Sequence, residues 1–170
     1  GTYYLGAHGI GSGTGNFTLT MISDTLRFTG NGSANDLTGN RKANVMLGNG
    51  GNDTISGQAG NDLLKGGAGN DLLRGDAGKD RLFGDAGADT LIGGAGDDLL
   101  TGGGGADRFV FARNGDADVI RDFTNNVDTI SLLGLGVKTV AQAMARARQV
   151  GDDVVFDFGR GDTLRVEDTT

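Results

Sequence analysis

A nine-residue repeat runs without interruption from Gly30 to Val110, and it constrains the fold more than any other feature of the chain. Each of the nine copies opens with glycine, and position eight of each copy is apolar, from Leu37 in the first to Phe109 in the last. A period kept in register indicates one structural unit stacked on itself. A glycine-rich disordered linker would not keep position eight apolar throughout, so the repeat predicts an ordered solenoid.

Position six of the repeat predicts a bound cation. The last seven copies carry aspartate there, whereas the first two carry Asn35 and Asn44; the aspartates are Asp53, Asp62, Asp71, Asp80, Asp89, Asp98 and Asp107. Stacked units bring these like charges close together, so an ion of opposite charge is needed between them. Ligands that are all oxygen atoms favour calcium over zinc or copper, and magnesium would demand a tighter octahedral site.

The local chemistry of one copy predicts a turn followed by a very short strand. The glycine-rich first six residues can turn because glycine tolerates positive φ, and the apolar last three can form a strand whose middle residue faces inward. Two copies then complete one coil of eighteen residues. Copies i and i+2 are expected to lie directly above one another, about 4.8 Å apart.

The fullest copies, Gly66–Arg74 and Gly93–Thr101, follow the pattern G-G-x-G-x-D-x-U-x, where U is apolar. The chain thereby resembles the RTX family (repeats in toxin, the hemolysin-type calcium-binding repeat) and is similar to the C-terminal β-roll domain of serralysin-type proteases. The resemblance implies an all-β fold, a right-handed parallel β-roll. It also implies that carbonyls of positions two and four plus Asp six of one copy share calcium with carbonyls of positions one and three plus Asp six of the copy two further on.

Carried onto this sequence, the resemblance implies about five complete sites. Their ligands are Asn49, Gly51 and Asp53 with Gly66, Ala68 and Asp71; Gln58, Gly60 and Asp62 with Gly75, Ala77 and Asp80; Gly67, Gly69 and Asp71 with Gly84, Ala86 and Asp89; Asp76, Gly78 and Asp80 with Gly93, Ala95 and Asp98; and Asp85, Gly87 and Asp89 with Gly102, Gly104 and Asp107.

Further sites would raise the number to at most eight. Two would pair Asn35 with Asp53 and Asn44 with Asp62, but a neutral amide attracts calcium less than a carboxylate does, so we favour a degenerate cap for the first two copies. A third would use Asp118 and Asp122 at the C-terminal end of the repeats.

The flanking segments are expected to cover the two ends of the roll, which would otherwise expose apolar residues and strand edges. Residues 1–29 contain alternating apolar residues at Thr2–Leu5 and Asn16–Met21, which are similar to the end of a pre-peptidase C-terminal domain or form a strand cap. Residues 111–170 are similar to the C-terminal segment of serralysin-type proteases. There the sequence predicts a helix over Val137–Val150 that stops at Gly151, and then a hairpin of Asp153–Phe158 and Thr163–Val166.

Composition excludes several functions. The net charge of -7 argues against nucleic-acid binding, and no apolar run reaches the roughly 20 residues of a membrane helix. The chain has no cysteine and therefore no disulfide, and its single histidine, His8, excludes a His-Glu-x-x-His zinc site. Arg160-Gly161-Asp162 spells an integrin-binding motif but fits the turn of the predicted hairpin. We therefore expect no catalytic constellation in this chain.

These observations and the resemblance lead to one expected function and one alternative. The chain is expected to be the calcium-binding RTX module of a larger secreted bacterial protein, with a parent domain N-terminal to Gly1, export by the type I secretion machinery, and folding outside the cell. The alternative is an adhesive or polysaccharide-binding roll. A basic strip along one face would favour it, and Lys65, Arg74, Arg81 and Arg108 are the candidate members.

Overall fold

The computed structural model describes residues 18–22, 25–113 and 116–167. The predicted strand at Thr2–Leu5 and the single histidine, His8, lie outside the described residues. The described part contains sixteen strands and one short helix. The strands are β1 (Thr18–Ile22), β2 (Thr25–Thr29), β3 (Asp36–Thr38), β4 (Asn44–Gly50), β5 (Thr54–Ser56), β6 (Leu63–Ala68), β7 (Leu72–Ala77), β8 (Arg81–Ala86), β9 (Thr90–Ala95), β10 (Leu99–Gly104), β11 (Arg108–Ala112), β12 (Ala117–Ile120), β13 (Thr129–Leu133), β14 (Ala147–Val150), β15 (Asp153–Gly159) and β16 (Asp162–Val166), and the helix is α1 (Val140–Met144).

Successive copies of the repeat contribute their strands to two sheets in turn. In the described residues, one sheet has the order β1-β2-β4-β6-β8-β10-β12-β16-β15-β14, and the other has the order β13-β11-β9-β7-β5-β3. Within the repeats all pairing is parallel, and each residue is paired with the residue 18 positions further on, as in Leu64 with Leu82. The predicted eighteen-residue coil and the β-roll are therefore confirmed.

The core is a double column of the position-eight residues. These side chains are 0–2% exposed in all nine copies: Leu37, Ile55, Leu73, Leu91 and Phe109 come from the six-stranded sheet, and Met46, Leu64, Leu82 and Leu100 from the ten-stranded sheet. Phe28 before the repeats and Ile120 and Ile130 after them extend the columns, because each is paired in register with a position-eight residue. One apolar residue per copy thus suffices to build a continuous interior.

The strands are longer than the three residues that the sequence predicts. From β6 to β10 each strand spans six residues and continues through positions one to three of the next copy, so that Gly67 pairs with Asp85 and Ala68 with Ala86. The turn proper is therefore limited to positions four to six. Neighbouring coils lie so close together here that backbone groups of the glycine-rich half can pair as a ladder.

Two residues per turn adopt left-handed backbone conformations from the third copy onward. Position two has positive φ at Asn49, Gln58, Gly67, Asp76, Asp85, Gly94 and Gly103, and position four has positive φ at Gly51, Gly60, Gly69, Gly78, Gly87, Gly96 and Gly105. Position four is glycine throughout because a Cβ atom there would overlap the backbone of the preceding coil. Position two also accepts asparagine and aspartate, which tolerate this region better than most residues.

The predicted helix over Val137–Val150 is wrong in extent. Helix α1 covers only Val140–Met144, and Ala147–Val150 forms strand β14, which pairs antiparallel with β15. Pairing with β15 satisfies backbone groups of the sheet edge, and this tertiary contact outweighs a modest helical preference. Gly151, with φ of 67°, belongs to the turn between β14 and β15 rather than to a helix end. Among the described residues, no helix is long and apolar enough to cross a membrane.

The C-terminal hairpin is confirmed. Strands β15 and β16 pair antiparallel around a turn at Gly159, Arg160 and Gly161, all of which have positive φ. β16 also pairs parallel with β12, which joins the hairpin to the ten-stranded sheet. Asp162 is only 1% exposed and lies 3.6 Å from the Arg113 guanidinium, so the Arg-Gly-Asp sequence does not present its carboxylate to solvent.

We expect Gly66→Ala to lower the stability of the calcium-loaded chain by about 1–3 kcal/mol, because the added Cβ would overlap Asp71 Oδ2. Gly104→Ala is the matched control: its Cβ would meet nothing within 4 Å, and position three is alanine in five other copies. We expect a change within about 0.5 kcal/mol for this control. Urea unfolding in saturating calcium measures both, and equal losses would contradict the tight packing at position one.

Candidate metal centre

The position-six residues form two hydrogen-bonded rows along the turns of the roll. We call Asn35, Asp53, Asp71, Asp89 and Asp107 the odd row, and Asn44, Asp62, Asp80 and Asp98 the even row. In each row, the backbone N–H of one member donates to the Oδ1 atom of the next aspartate, at 2.7–2.9 Å. The spacing is 18 residues, so copies i and i+2 meet at this position as predicted. These bonds fix each carboxyl group in one orientation.

The second oxygen of each carboxyl group has no hydrogen-bond partner. Within the described part of the chain, the Oδ2 atoms of Asp53, Asp62, Asp71, Asp80, Asp89, Asp98 and Asp107 are all buried and unpartnered. The seven residues are only 1–3% exposed. A buried oxygen without a donor is costly, so seven of them at equivalent positions indicate that a ligand completes the turn.

Backbone carbonyls point to the same places as the unpartnered oxygens. A Cβ atom on Gly48 would overlap both Asp53 Oδ2 and the carbonyl oxygen of Gly66, which opens the copy two further on. The same three-way approach recurs in the next copies: Gly57 with Asp62 and Gly75, Gly66 with Asp71 and Gly84, Gly75 with Asp80 and Gly93, and Gly84 with Asp89 and Gly102. The structure therefore brings together the predicted position-one and position-six ligands of all five sites.

The remaining predicted ligands lie on the same turns. The position-two and position-four carbonyls of Asn49 and Gly51 approach Gly67 and Gly69 of the next coil so closely that a Cβ on either glycine would overlap them. The position-three carbonyls of Ala77, Ala86, Ala95 and Gly104 each accept a position-four N–H from the preceding coil. A carbonyl oxygen has two lone pairs and can still bind an ion.

The donor set fits calcium. It consists of oxygen atoms only, and most of them are backbone carbonyls. The described residues hold no group of three or more His, Cys, Asp or Glu side chains suited to a metal, and the implied sites use two carboxylates each. Zinc and copper sites draw on nitrogen and sulfur ligands, which these turns do not supply.

Electrostatics also favour a cation at these turns. Burial raises the pKa of the Asp98 carboxyl to about 8, of Asp62 to about 7, and of Asp53, Asp80 and Asp89 to about 6. Neighbouring carboxyl groups of the rows raise the pKa values of Asp98 and Asp89 further, whereas the backbone N–H of the previous row member lowers them. The ionised rows are thus unfavourable by themselves, and a bound cation would reverse this effect.

The first two copies satisfy their turns differently. The side-chain oxygens of Asn35 and Asn44 accept the backbone N–H of Asn31 and Asn40, at 2.8 Å. Positions two and four of these copies, all of them described, do not have positive φ. The amides therefore have internal partners, and the backbone is not turned as in copies three to nine. This geometry favours the interpretation that the first two copies are a degenerate cap, rather than the interpretation that they hold two weak calcium sites.

The structure places Asp118 and Asp122 against different turns. Asp118 is buried and accepts the N–H of Asp98, so it continues the even row. Asp122 accepts the N–H groups of Gly102 and Gly103 in copy nine. Their partners differ because strand β12 crosses the roll between them. Asp118 lies at the turn of Asp98, and Asp122 follows the strand at the turn that opens copy nine.

Sequence reasoning missed Asp128. Its Oδ1 accepts the N–H of Asp107, so it continues the odd row beyond the last repeat. The spacing from Asp107 is 21 residues instead of 18, and a search for a strict period overlooks it. A signal does exist: Asp118 and Asp128 each stand two residues before an inward isoleucine, as position six stands before position eight.

We expect Asp71→Asn to remove about two bound calcium ions, because Asp71 serves the sites shared with copies three and seven. The amide oxygen can still accept the N–H of Asp53, so the fold contact survives. Asp76→Asn is the matched control, since only the backbone carbonyl of Asp76 is a predicted ligand. Calorimetric titration measures both, and equal stoichiometries in the two variants would contradict the pairing of copies i and i+2.

We also expect Asn44→Asp alone to add no calcium ion, because Lys42 at position four does not adopt the left-handed conformation that glycine adopts in later copies. The double variant Asn44→Asp with Lys42→Gly should add about one ion, bound with Asp62. Equilibrium dialysis against labelled calcium, with Lys42→Gly alone as the control, distinguishes the two. A full extra ion bound by Asn44→Asp would show that the charge at position six is sufficient for calcium binding, without a left-handed residue at position four.

Comparison with known proteins bears on this geometry. Two solved structures are similar in part. The chain is 19% identical to extracellular lipase LipA from Serratia marcescens, with a TM-score of 0.42, over 82% of this chain and 37% of the lipase chain. It is 25% identical to the AlgE6R3 subunit of the Azotobacter vinelandii mannuronan C5-epimerase, with a TM-score of 0.28, over 80% of this chain and 71% of that one. Both TM-scores lie below 0.5, so no conclusion about this chain rests on either structure. No curated protein matches the chain.

The family model of the RTX calcium-binding nonapeptide repeat matches four times, at residues 29–64, 56–91, 75–109 and 83–116. The matches together span residues 29–116, which is more than half of the chain. They cover the nine copies and both rows of position-six residues. The chain therefore belongs to the family of RTX calcium-binding nonapeptide repeats.

Proposed function

We propose that this chain is a calcium-dependent folding module of a larger secreted bacterial protein. The single observation that carries the proposal is the set of seven buried, unpartnered Oδ2 atoms in the two rows. They recur at equivalent turns, and five of them lie beside the position-one backbone carbonyl of the copy two further on. RTX repeats bind calcium, and these residues supply oxygen ligands of the kind that calcium requires.

The role of the chain's own residues follows from the geometry. The N–H of one row member holds Oδ1 of the next, which leaves Oδ2 directed into the turn. Left-handed residues at positions two and four bring the carbonyls of adjacent coils together. Calcium, when bound, supplies the positive charge that two buried carboxylates require. Because each inner aspartate belongs to two sites, binding at one site favours order at its neighbours.

We propose five full sites within copies three to nine, with the ligands that the resemblance implies. The rows continue beyond the repeats through Asp118 and Asp128, so the turns of Asp98 and Asp107 also have a carboxyl partner. Asp122 faces the turn of copy nine as well. Further ions at these two terminal turns would be bound by Asp98 with Asp118, and by Asp107 with Asp128.

The need for calcium suits export in an unfolded state. Cytosolic calcium is scarce, so rows of unneutralised carboxylates would oppose folding before export, and calcium outside the cell would permit it. We propose on this basis that the module passes through a type I secretion machinery and folds in the extracellular medium, beside a parent domain that precedes Gly1. The proposal gives the module itself no catalytic step.

The alternative, an adhesive or polysaccharide-binding roll, has less support because the structure divides the candidate basic residues. Lys65 and Arg81 lie on the ten-stranded sheet, whereas Arg74 and Arg108 lie on the six-stranded sheet. Lys65 and Arg81 do flank the ring of Phe83, at 5.2 and 5.5 Å, but Lys65 is also paired with Asp85. These four residues therefore do not form one strip.

We expect the chain to be largely unfolded in excess chelator and to gain strand cooperatively as calcium is added, because the ionised rows oppose folding until a cation is bound. Circular dichroism during a calcium titration measures this, with magnesium as the control ion. Asp71→Asn should shift the midpoint to higher calcium, whereas Asp76→Asn should not. A chain that is fully folded and thermally stable in chelator would refute the proposal.

A further inference from the structure

An apolar cavity of about 380 Å³ lies at the C-terminal end of the roll, away from the candidate calcium turns. Its lining residues come from β13, β15, β16, α1 and the segment before α1, and they include Ile130, Leu132, Val140, Ala143, Met144 and Phe156. The volume lies within the range of about 300–1,000 Å³ that small-molecule sites in proteins occupy.

The cavity exists because the two sheets end at different places. The six-stranded sheet stops at β13, whereas the ten-stranded sheet continues beyond β12 with β16, β15 and β14. The space opposite β15 and β16 therefore lacks a facing strand. Ile130, Leu132 and Phe156 are partly buried against the end of the core here, and the short helix α1 covers only one side of the gap.

Most of the cavity lining is apolar, and two apolar side chains stand at its mouth. The side chains of Val140 and Met144 are 79% and 57% exposed, although both contact the cavity. Large apolar side chains held open to solvent around a concave surface indicate a binding site.

One cation stands at the rim. Lys138 lines the cavity, and its ammonium group forms no ion pair with any residue in the described part of the chain. Its backbone is held in place, since its N–H donates to Gln142 Oε1 at 2.8 Å, and Gln142 N–H donates to Thr139 Oγ1 at 3.2 Å. The side chain is exposed and can reach a ligand at the mouth.

We propose that this cavity binds a single-chain amphiphile with an anionic head group. The tail occupies the space between β13 and the β15–β16 hairpin, and the head group pairs with Lys138. A single alkyl chain suits a concave, mostly apolar space of about 380 Å³. A second copy of the chain suits it less, because protein interfaces need about 1,000 Å² of fitting surface. The inference is independent of the number of calcium ions bound.

The test is calorimetric titration of the whole calcium-loaded chain with octane-1-sulfonate, whose head group resembles a fatty-acid carboxylate in charge. We expect saturable binding. Octyltrimethylammonium, with the same tail and the opposite charge, and ethanesulfonate, with the same head and a short tail, should bind at least about tenfold more weakly, because both cavity and charge contribute.

Variants separate the two contributions. Ala143→Phe fills the cavity and should abolish binding, and Lys138→Gln should weaken it by about two- to fivefold, as expected for an exposed charge pair. Lys42→Gln, an exposed lysine at the other end of the roll, is the matched control and should bind as the parent does. Val140→Asp, at an exposed position of the mouth, replaces Ala143→Phe if that variant does not show the parent's circular dichroism with calcium.

Several results would overturn the proposal. They are the absence of saturable binding, equal binding of the cationic amphiphile, and binding that Ala143→Phe and Val140→Asp leave unchanged. Sedimentation should show a monomer with and without octane-1-sulfonate. A dimer that Val140→Asp dissociates would assign the cavity to a second copy of the chain instead. Co-sedimentation with anionic phospholipid vesicles, without binding of the free sulfonate, would assign it to a bilayer surface and would also overturn the proposal.

Discussion

The burial of carboxyl groups in two rows is the constraint on which the rest of this structure depends. The two rows of position-six aspartates are removed from water along the turns of the roll, and burial raises their pKa values. A stack of such turns is favourable only with positive charge between the carboxylates. Under the proposed function, the fold and the bound cation therefore depend on each other, and order in one coil depends on order in its neighbours.

The glycines of the repeat follow from the same constraint. Carbonyl oxygens can meet an ion between two coils only if the backbone of both coils approaches closely and turns twice within a few residues. Position one admits no Cβ because the aspartate oxygen and the next coil's carbonyl occupy that space, and position four requires positive φ. Copies one and two lack these left-handed residues and use asparagine amides to satisfy their own N–H groups. Those two turns can therefore be ordered by hydrogen bonds alone, at the end of the stack where a site would have one carboxylate only.

The C-terminal segment continues the roll by register rather than by period. Ile120, Ile130 and Val166 extend the apolar columns, and Asp118 and Asp128 extend the carboxyl rows, although the intervening loops have different lengths. The sheets then end at different points, and the unequal ends leave the apolar cavity beside α1. The C-terminal end of the solenoid thus also carries the apolar cavity.

The sequence by itself determined the repeating unit, the inward residue, the eighteen-residue coil and the family, because a strict period makes each local preference recur at the same place in space. It also identified the aspartates that form the two rows, because residues at a fixed position of the repeat lie above one another when the copies stack. Only the tertiary structure decided features without a period. Asp128 joined the odd row through a register that loop lengths conceal, and Ala147–Val150 became a strand because β15 offered an unpaired edge. Lys65 and Arg74 were placed on opposite sheets because alternate copies face opposite ways. Such outcomes depend on which backbone groups and surfaces meet after the chain has folded, and a linear pattern does not contain that information.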